Sequence, residues 1–201
     1  MLLPVAQIID TTIDYSGHFS LEVFVWGCNL NCWFCFNKDI ICNIDYRKQM
    51  HISEIVEYLG STDSCIYDGF VINGGEPLIY PNTIRLLCES VKDKYGLPIK
   101  IFTNGTNFAT MVEFVNANLV DAIEIGLKSP PIAGKQIHVD AVINQARALP
   151  ISVKFRYVVI PESAKTDEER AFEEKIRKLL GDKVCYEPMR SRNEITRIKK
   201  E

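Results

Sequence analysis

Residues 69–77 read Gly69-Phe70-Val71-Ile72-Asn73-Gly74-Gly75-Glu76-Pro77. A short apolar run bounded by glycine and proline is a buried strand that stops at a glycine pair. The residues after it change period. Ile84, Leu87, Cys88, Val91 and Tyr95 recur at three- and four-residue spacing, the stripe of an amphipathic helix. Ile99-Lys100-Ile101-Phe102-Thr103 then returns to a strand. Strand, helix and strand in that order make a right-handed βαβ unit with parallel strands.

The same unit repeats outward. Upstream lies a β-rich run at residues 19–26, then a helix marked by Ile52, Ile55, Val56 and Leu59, with Ser53 as its cap. Downstream, Phe108, Met111, Val112, Val115 and Leu119 mark a helix, residues 122–127 a strand, and Val139, Val142, Ile143, Ala146 and Leu149 a further helix. A long strand at residues 151–160 precedes Thr166-Asp167-Glu168-Glu169, a capping box that opens a helix with Phe172, Ile176, Leu179 and Leu180 on its inner face. Residues 183–186 close the series. Six strands alternating with helices predict an α/β fold with a parallel sheet. A closed eight-stranded barrel typically takes ~250 residues, so the 201 residues here fit a partial (β/α)6 TIM-like barrel or a strongly curved sheet. The reading is one domain over residues 1–189. A basic tail at 190–201 follows, with Arg190, Arg192, Arg197, Lys199 and Lys200, either a solvated terminus or a docking segment.

Composition narrows the function. Apolar residues are 47% and charged residues 24%, ordinary globular usage that excludes disorder. Lysine and arginine number 23 against 26 aspartates and glutamates, a net charge of −3, so no broad basic surface for nucleic acid is expected. No apolar run reaches the ~20 residues of a membrane-spanning helix. Met1-Leu2-Leu3-Pro4-Val5-Ala6-Gln7 has neither the positive start nor the apolar block of a signal peptide. The expected address is the cytoplasm, where seven cysteines are poor candidates for structural disulfides.

Three of the seven fall together in Cys28-Asn29-Leu30-Asn31-Cys32-Trp33-Phe34-Cys35. Cys42, Cys65, Cys88 and Cys185 are scattered and read as core or surface residues, Cys88 on an apolar helix face. The C-x3-C-x2-C spacing can clasp one face of a small metal cluster within one loop. Structural zinc sites use four ligands, often in paired knuckles, and no second pair or well-spaced histidine accompanies the triplet. A four-iron cluster held at three corners suits it better, with the fourth iron open to a ligand. The triplet, Gly74–Gly75, Thr103-Asn104-Gly105 and Leu127-Lys128 all follow predicted strands. In a parallel barrel these points share one face, where active sites are built.

The triplet with its aromatic Phe34 before Cys35, the Gly74-Gly75-Glu76-Pro77 segment, Ile13-Asp14-Tyr15-Ser16-Gly17, Thr103-Asn104-Gly105-Thr106, Leu127-Lys128-Ser129-Pro130 and Arg156-Tyr157-Val158-Val159-Ile160-Pro161 together resemble the radical S-adenosylmethionine superfamily. Within it the chain is most similar to activating enzymes of glycyl-radical proteins, of the anaerobic ribonucleotide reductase type. The resemblance implies that Cys28, Cys32 and Cys35 hold a [4Fe-4S] cluster whose open iron chelates S-adenosylmethionine. It implies that Gly74, Gly75 and Glu76 lie at the methionine end, with glycine carbonyls near the ammonium. Phe34, Cys35 and Phe36 would lie against the adenine, although Trp33 and Phe36 can equally pack in the core. Lys128 would bond the ribose or the carboxylate, or stand solvated; Asn104 and Arg156 would be pocket walls.

The implied partners are a glycyl-radical enzyme such as anaerobic ribonucleotide reductase, reached at a lateral barrel opening near Asp14, and a low-potential flavodoxin or ferredoxin as electron donor. Asp14 otherwise reads as a turn former. No nucleic acid or membrane is implied. A radical enzyme acting on a small molecule, of the 7-carboxy-7-deazaguanine synthase kind, and a non-catalytic iron–sulfur or zinc module are the alternatives. Phe36 stands where the activase pattern has histidine, Gly126 where it has the aspartate of Asp-x-Lys, and Ser16 where it has proline. Glu187-Pro188-Met189-Arg190 holds no late histidine.

Overall fold

The computed structural model describes residues 1–42, 45, 48–61, 66–129 and 138–189. The readings that rest on Cys65, on Pro130 and on the tail from Arg190 lie outside the described residues.

The chain runs β1 (Leu2–Thr11), β2 (Ser20–Val25), α1 (Lys38–Cys42), β3 (Gln49–His51), α2 (Ile52–Leu59), β4 (Gly69–Gly74), α3 (Pro81–Tyr95), β5 (Ile99–Thr103), α4 (Phe108–Asn116), β6 (Ala122–Leu127), α5 (Val139–Arg147), β7 (Ser152–Val159), α6 (Asp167–Leu180) and β8 (Val184–Pro188). All eight strands share one sheet in the order β3-β1-β2-β4-β5-β6-β7-β8. From β2 through β8 the six neighbouring strands are parallel, the expected partial barrel. A purely parallel sheet is corrected at one side, where β1 runs antiparallel to β2 and β3 antiparallel to β1. Pro4 disguised β1, because a proline inside an apolar run argues against a strand. Here Pro4 contributes its carbonyl, which accepts the Trp26 N–H at 3.0 Å. The three residues of β3 are too few to leave a pattern.

Alternation along the parallel strands separates two faces. Leu21, Val23, Val25, Phe70, Ile72, Ile99, Ile101, Ile123 and Ile125 are fully buried or nearly so, in one cluster with Ile55, Leu59, Ile84, Leu87, Cys88, Val91, Met111, Phe114 and Ile143 of the helices. Each such side chain contributes about 1.5–3 kcal/mol on burial, so this layer supplies most of the fold's stability. The opposite, inner face carries Glu22, Asn73, Lys100, Phe102, Glu124 and Arg156 instead. The charges of Lys100, Glu124 and Arg156 are tolerated there because they are paired. Lys100 Nζ lies 2.7 Å from Glu124 Oε2, and Arg156 also meets Glu124.

Helix ends follow local chemistry. The Thr166 box forms as expected: Thr166 N–H donates to Glu169 Oε2 at 2.6 Å, and Glu169 N–H to Thr166 Oγ1 at 3.2 Å. For α2 the cap is His51 and not Ser53, since β3 runs straight into the helix; the His51 N–H donates to Glu54 Oε2 at 2.6 Å. Cys88 is fully buried, as its helix pattern implied.

Candidate active site

Because β2, β4, β5 and β6 are parallel, the loops leaving them emerge at one end of the sheet. That end gathers the cysteine loop, Gly74–Gly75, Asn104 and Lys128, as the sequence predicts. Residues 14–17 are the exception. They precede β2 and so lie at the other end, where the Asp14 carbonyl accepts from Lys100 Nζ and Ser16 Oγ accepts from Lys154 Nζ at 3.2 Å. The Asp14 carboxylate accepts from Thr11 Oγ1 at 3.1 Å. This corrects the expectation that Asp14 reaches an opening for a partner: the segment covers the amino-terminal ends of β5 and β7.

The cysteine loop is pinned at several points. Gly27 N–H donates to the Ile40 carbonyl at 3.2 Å, and Cys35 N–H to the Cys32 carbonyl at 3.2 Å. Asn37 Nδ2 donates to the Gly74 carbonyl at 3.0 Å, tying the loop to β4. Cys32 is buried beside Leu30 and Ile160, with Cys28, Phe34 and Cys35 packed around them. Two N–H groups approach the Cys28 sulfur, Leu30 N at 3.4 Å and Asn104 Nδ2 at 3.7 Å. Trp33 and Phe36 are 52% and 45% exposed, so the core-packing option for them is overturned. Phe34 meets the Trp33 ring edge-on at 5.6 Å and is half-buried.

Gly74 and Gly75 meet a steric demand of the backbone around them. Gly74 has φ +113°, and a Cβ there would lie 2.4 Å from Val25 N. A Cβ on Gly75 would lie 1.8 Å from the Gly27 carbonyl oxygen. The pair lets β4 end directly against the start of the cysteine loop, and Glu76 N–H closes the contact on the Gly27 carbonyl at 2.9 Å. The Glu76 side chain is fully buried. Its carboxylate receives Leu78 N–H (3.1 Å), Thr103 Oγ1 (2.9 Å) and Asn104 N–H (2.6 Å). Burial nevertheless pushes its pKa up to about 7, against these hydrogen bonds. Glu76 thus fixes the turn after β5 that carries Asn104.

Asn104 in turn donates to Asn29 Oδ1 at 2.9 Å, and Asn29 Nδ2 to Thr106 Oγ1 at 2.7 Å. The sequence alone assigns no role to Asn29, Asn37, Thr103 or Thr106, although Asn29, Thr103 and Thr106 stand inside the motifs quoted above. Lys128 fills the space that Gly126 leaves: a Cβ on Gly126 would lie 2.6 Å from Lys128 Nζ. Burial lowers the Lys128 pKa, while the Cys32, Cys35 and Cys28 thiols and Glu76 oppose that shift. Arg156, opposite Gly126 in the β6–β7 register, lies deeper on the inner face between Glu124 and Glu187, the latter at 3.5 Å.

The donor set fits an iron–sulfur cluster. Burial raises the pKa of all three thiols, and the cation of Lys128 favours the thiolate of Cys32 and Cys35. Soft sulfur ligands, N–H groups aimed at sulfur, a nearby cation and an apolar lining are what such clusters need. Among the described residues no three His, Cys, Asp or Glu side chains are gathered tightly enough for a single ion.

The comparisons agree. The family model of the radical SAM superfamily matches residues 23–174. A Methanocaldococcus jannaschii protein named "putative glycyl-radical enzyme activating enzyme" is 33% identical over 125 residues, 62% of this chain and 50% of the relative. The 7-carboxy-7-deazaguanine synthase of Hyperthermus butylicus is 31% identical over 91 residues, 45% of this chain and 37% of the synthase. The chain thus spans half or less of the length of these relatives. A solved structure of anSMEcpe with bound AdoMet superposes with a TM-score of 0.58 at 18% identity, over 82% of this chain and 48% of that one, a likeness of fold. The chain belongs to the radical SAM superfamily, whose members use a [4Fe-4S] cluster and S-adenosylmethionine.

Proposed function

We propose that this chain is a glycyl-radical activating enzyme, which removes a hydrogen atom from a backbone glycine of a partner protein such as an anaerobic ribonucleotide reductase. The observation that carries the reading is the loop with three buried or half-buried thiols, served by N–H donors from Leu30 and Asn104 and set at the carboxyl ends of the parallel strands. When bound, the cluster and S-adenosylmethionine supply a one-electron cleavage that yields methionine and a 5′-deoxyadenosyl radical, which takes the hydrogen atom and becomes 5′-deoxyadenosine.

In this reading Cys28, Cys32 and Cys35 are the ligands. Asn104 steadies Cys28 and is itself steadied by Glu76. Lys128 offers its ammonium to the carboxylate or ribose of S-adenosylmethionine, and the Gly74 and Gly75 carbonyls face the methionine ammonium. Phe34 and Phe36 border the adenine, and Arg156 bounds the substrate side. The electron comes from a low-potential flavodoxin or ferredoxin. Similarity to a protein named for glycyl-radical enzyme activation supports the target.

A second reading, a small-molecule radical enzyme of the deazaguanine-synthase kind, is supported by the similarity to that synthase and by the charged inner face around Arg156. The test is anaerobic incubation of the reconstituted enzyme with S-adenosylmethionine, reductant and anaerobic ribonucleotide reductase. A glycyl doublet in electron paramagnetic resonance is expected. Accumulation of 5′-deoxyadenosine with no doublet favours the second reading.

A further inference from the structure

We propose that residues 12–17 form a strap, latched across the amino-terminal end of the barrel by one proton shared between the Asp14 and Glu22 carboxyl groups. The latch is independent of the target named above.

Glu22 stands where a lone carboxylate is costly. It lies within β2 on the inner face and has no exposed surface. Its Oε1 accepts from Asn73 Nδ2 of β4 at 2.7 Å. Its Oε2 is buried and meets no donor among the described residues. The Asp14 carboxyl, carried by the segment before β2, is within hydrogen-bonding reach. An ionised carboxyl only accepts, so two ionised carboxyls face each other with no proton to share. Like charges buried side by side cannot both persist. One proton between them converts the repulsion into a hydrogen bond and satisfies the orphaned oxygen.

The neighbouring charges leave that task to the proton. On β5, Lys100 Nζ is engaged by the Asp14 carbonyl and by Glu124 Oε2 of β6, the latter at 2.7 Å. Glu124 also meets Arg156 of β7. Before the strap, Thr11 Oγ1 donates to the Asp14 carboxylate at 3.1 Å. Past it, His18 Nδ1 lies 3.0 Å from the Asp68 carbonyl and 3.5 Å from Asp68 Oδ1. Burial pushes the Glu22 pKa up to about 8; the Asn73 hydrogen bond and Lys100 oppose this, and Asp14 adds to it.

Apolar packing does little to hold the strap down. Its one aliphatic side chain, Ile13, is 84% exposed. Ser16 Oγ accepts from Lys154, an exposed lysine, at 3.2 Å. Behind the strap a cavity of about 80 Å³, lined by Tyr15, Ser16, Lys100, Ser152 and Lys154, leaves room for movement and for water. An open strap puts Glu22 into water, where it ionises in the ordinary carboxyl range. Between that range and about pH 8 the closed form therefore holds one more proton than the open form. Opening grows as pH rises through this window and levels off above it. It also frees Lys100 from the Asp14 carbonyl, and so loosens the Glu124 contact that steadies Arg156.

The test is amide exchange on the full chain, reconstituted anaerobically and followed from pH 5 to pH 9. Protection factors, corrected for the pH dependence of the exchange chemistry itself, are read at Ile13, Asp14 and His18 and on β5. In wild type, protection of the strap should fall at least tenfold between pH 5 and pH 8 and level off above. It should stay at least tenfold below that of β5 throughout, the mark of local opening. Glu22→Gln places an amide donor against Asp14 at every pH, and Asp14→Asn places one against Glu22. Each variant should hold strap protection within threefold across the range, and His18 is intact in both, so its own titration is controlled. If one variant fails to fold, the other decides by the same measurement. A flat profile in wild type, an undiminished fall in a folded variant, or strap amides that track β5 at every pH would overturn the latch.

Discussion

Glu76 and Asn104 meet through a 2.6 Å hydrogen bond, from the Asn104 backbone N–H to the buried Glu76 carboxylate. The contact joins the end of β4 to the end of β5, and Asn104 then reaches the Cys28 sulfur. A carboxylate with three donors cannot be replaced by an amide without turning its NH2 toward one of them. Glu76→Gln is expected to destabilise the fold by about 1–3 kcal/mol and to lower iron content after reconstitution. Denaturant unfolding and iron analysis read both effects.

Gly75→Ala should be severe. Its Cβ would lie 1.8 Å from the Gly27 carbonyl oxygen, and neither backbone can yield without moving the cysteine loop. A loss of about 1–3 kcal/mol or more is expected, together with failure to hold a full cluster. Wild-type iron content in this variant would contradict the role given to the glycine pair.

Gly126→Ala should behave differently. There the new Cβ would crowd the Lys128 ammonium, the far end of a flexible side chain, and lie at ordinary contact distance, 3.8 Å, from the Thr103 carbonyl oxygen. Stability should stay within about 0.5 kcal/mol of wild type, while KM for S-adenosylmethionine rises because Lys128 is displaced. A fall in stability with an unchanged KM would overturn this account of Lys128.

Glu22 makes the pH dependence testable. Burial pushes its pKa up to about 8; the Asn73 hydrogen bond and Lys100 lower it, and Asp14 raises it. Between the ordinary carboxyl range and pH 8 the folded chain keeps this proton and the unfolded chain has lost it. Stability therefore falls as pH rises through that window, and Glu76 acts in the same direction up to about 7. Glu22→Gln mimics the protonated acid and keeps an oxygen for Asn73 Nδ2, now 2.7 Å from Glu22 Oε1. The variant should be at least as stable as wild type at pH 8, with a flatter profile between pH 5 and 8. Urea midpoints across that range decide it.

The parallel strands were legible because their buried face is continuous and each is followed by a helical period. β1 was not, because Pro4 breaks the pattern whereas the fold needs only its carbonyl. The cysteine loop was legible by spacing, and its aromatics were not: by type Trp33 and Phe36 could equally pack in the core or border a ligand, and they lie at the surface. The position of Asp14 followed from chain direction alone. A residue before a parallel strand sits at the end opposite a residue after it, so Asp14 and Cys28 flank the two ends of β2. The glycine pair was recognisable, yet its reason, contact with the Gly27 backbone, required the three-dimensional register. The inner charges on Lys100 and Glu124 carried a usable signal, since a charge at an alternate position in an apolar strand marks a polar lining.

The central claim is that the loop of Cys28, Cys32 and Cys35 holds the cluster that cleaves S-adenosylmethionine. The most direct measurement is 5′-deoxyadenosine formation by the anaerobically reconstituted, reduced protein, beside its iron and sulfide content, for wild type and Cys32→Ala. The account predicts about four irons and four sulfides per wild-type chain, with cleavage that disappears in the variant. Zinc without sulfide in the wild type, or cleavage at the wild-type rate by Cys32→Ala, would contradict it.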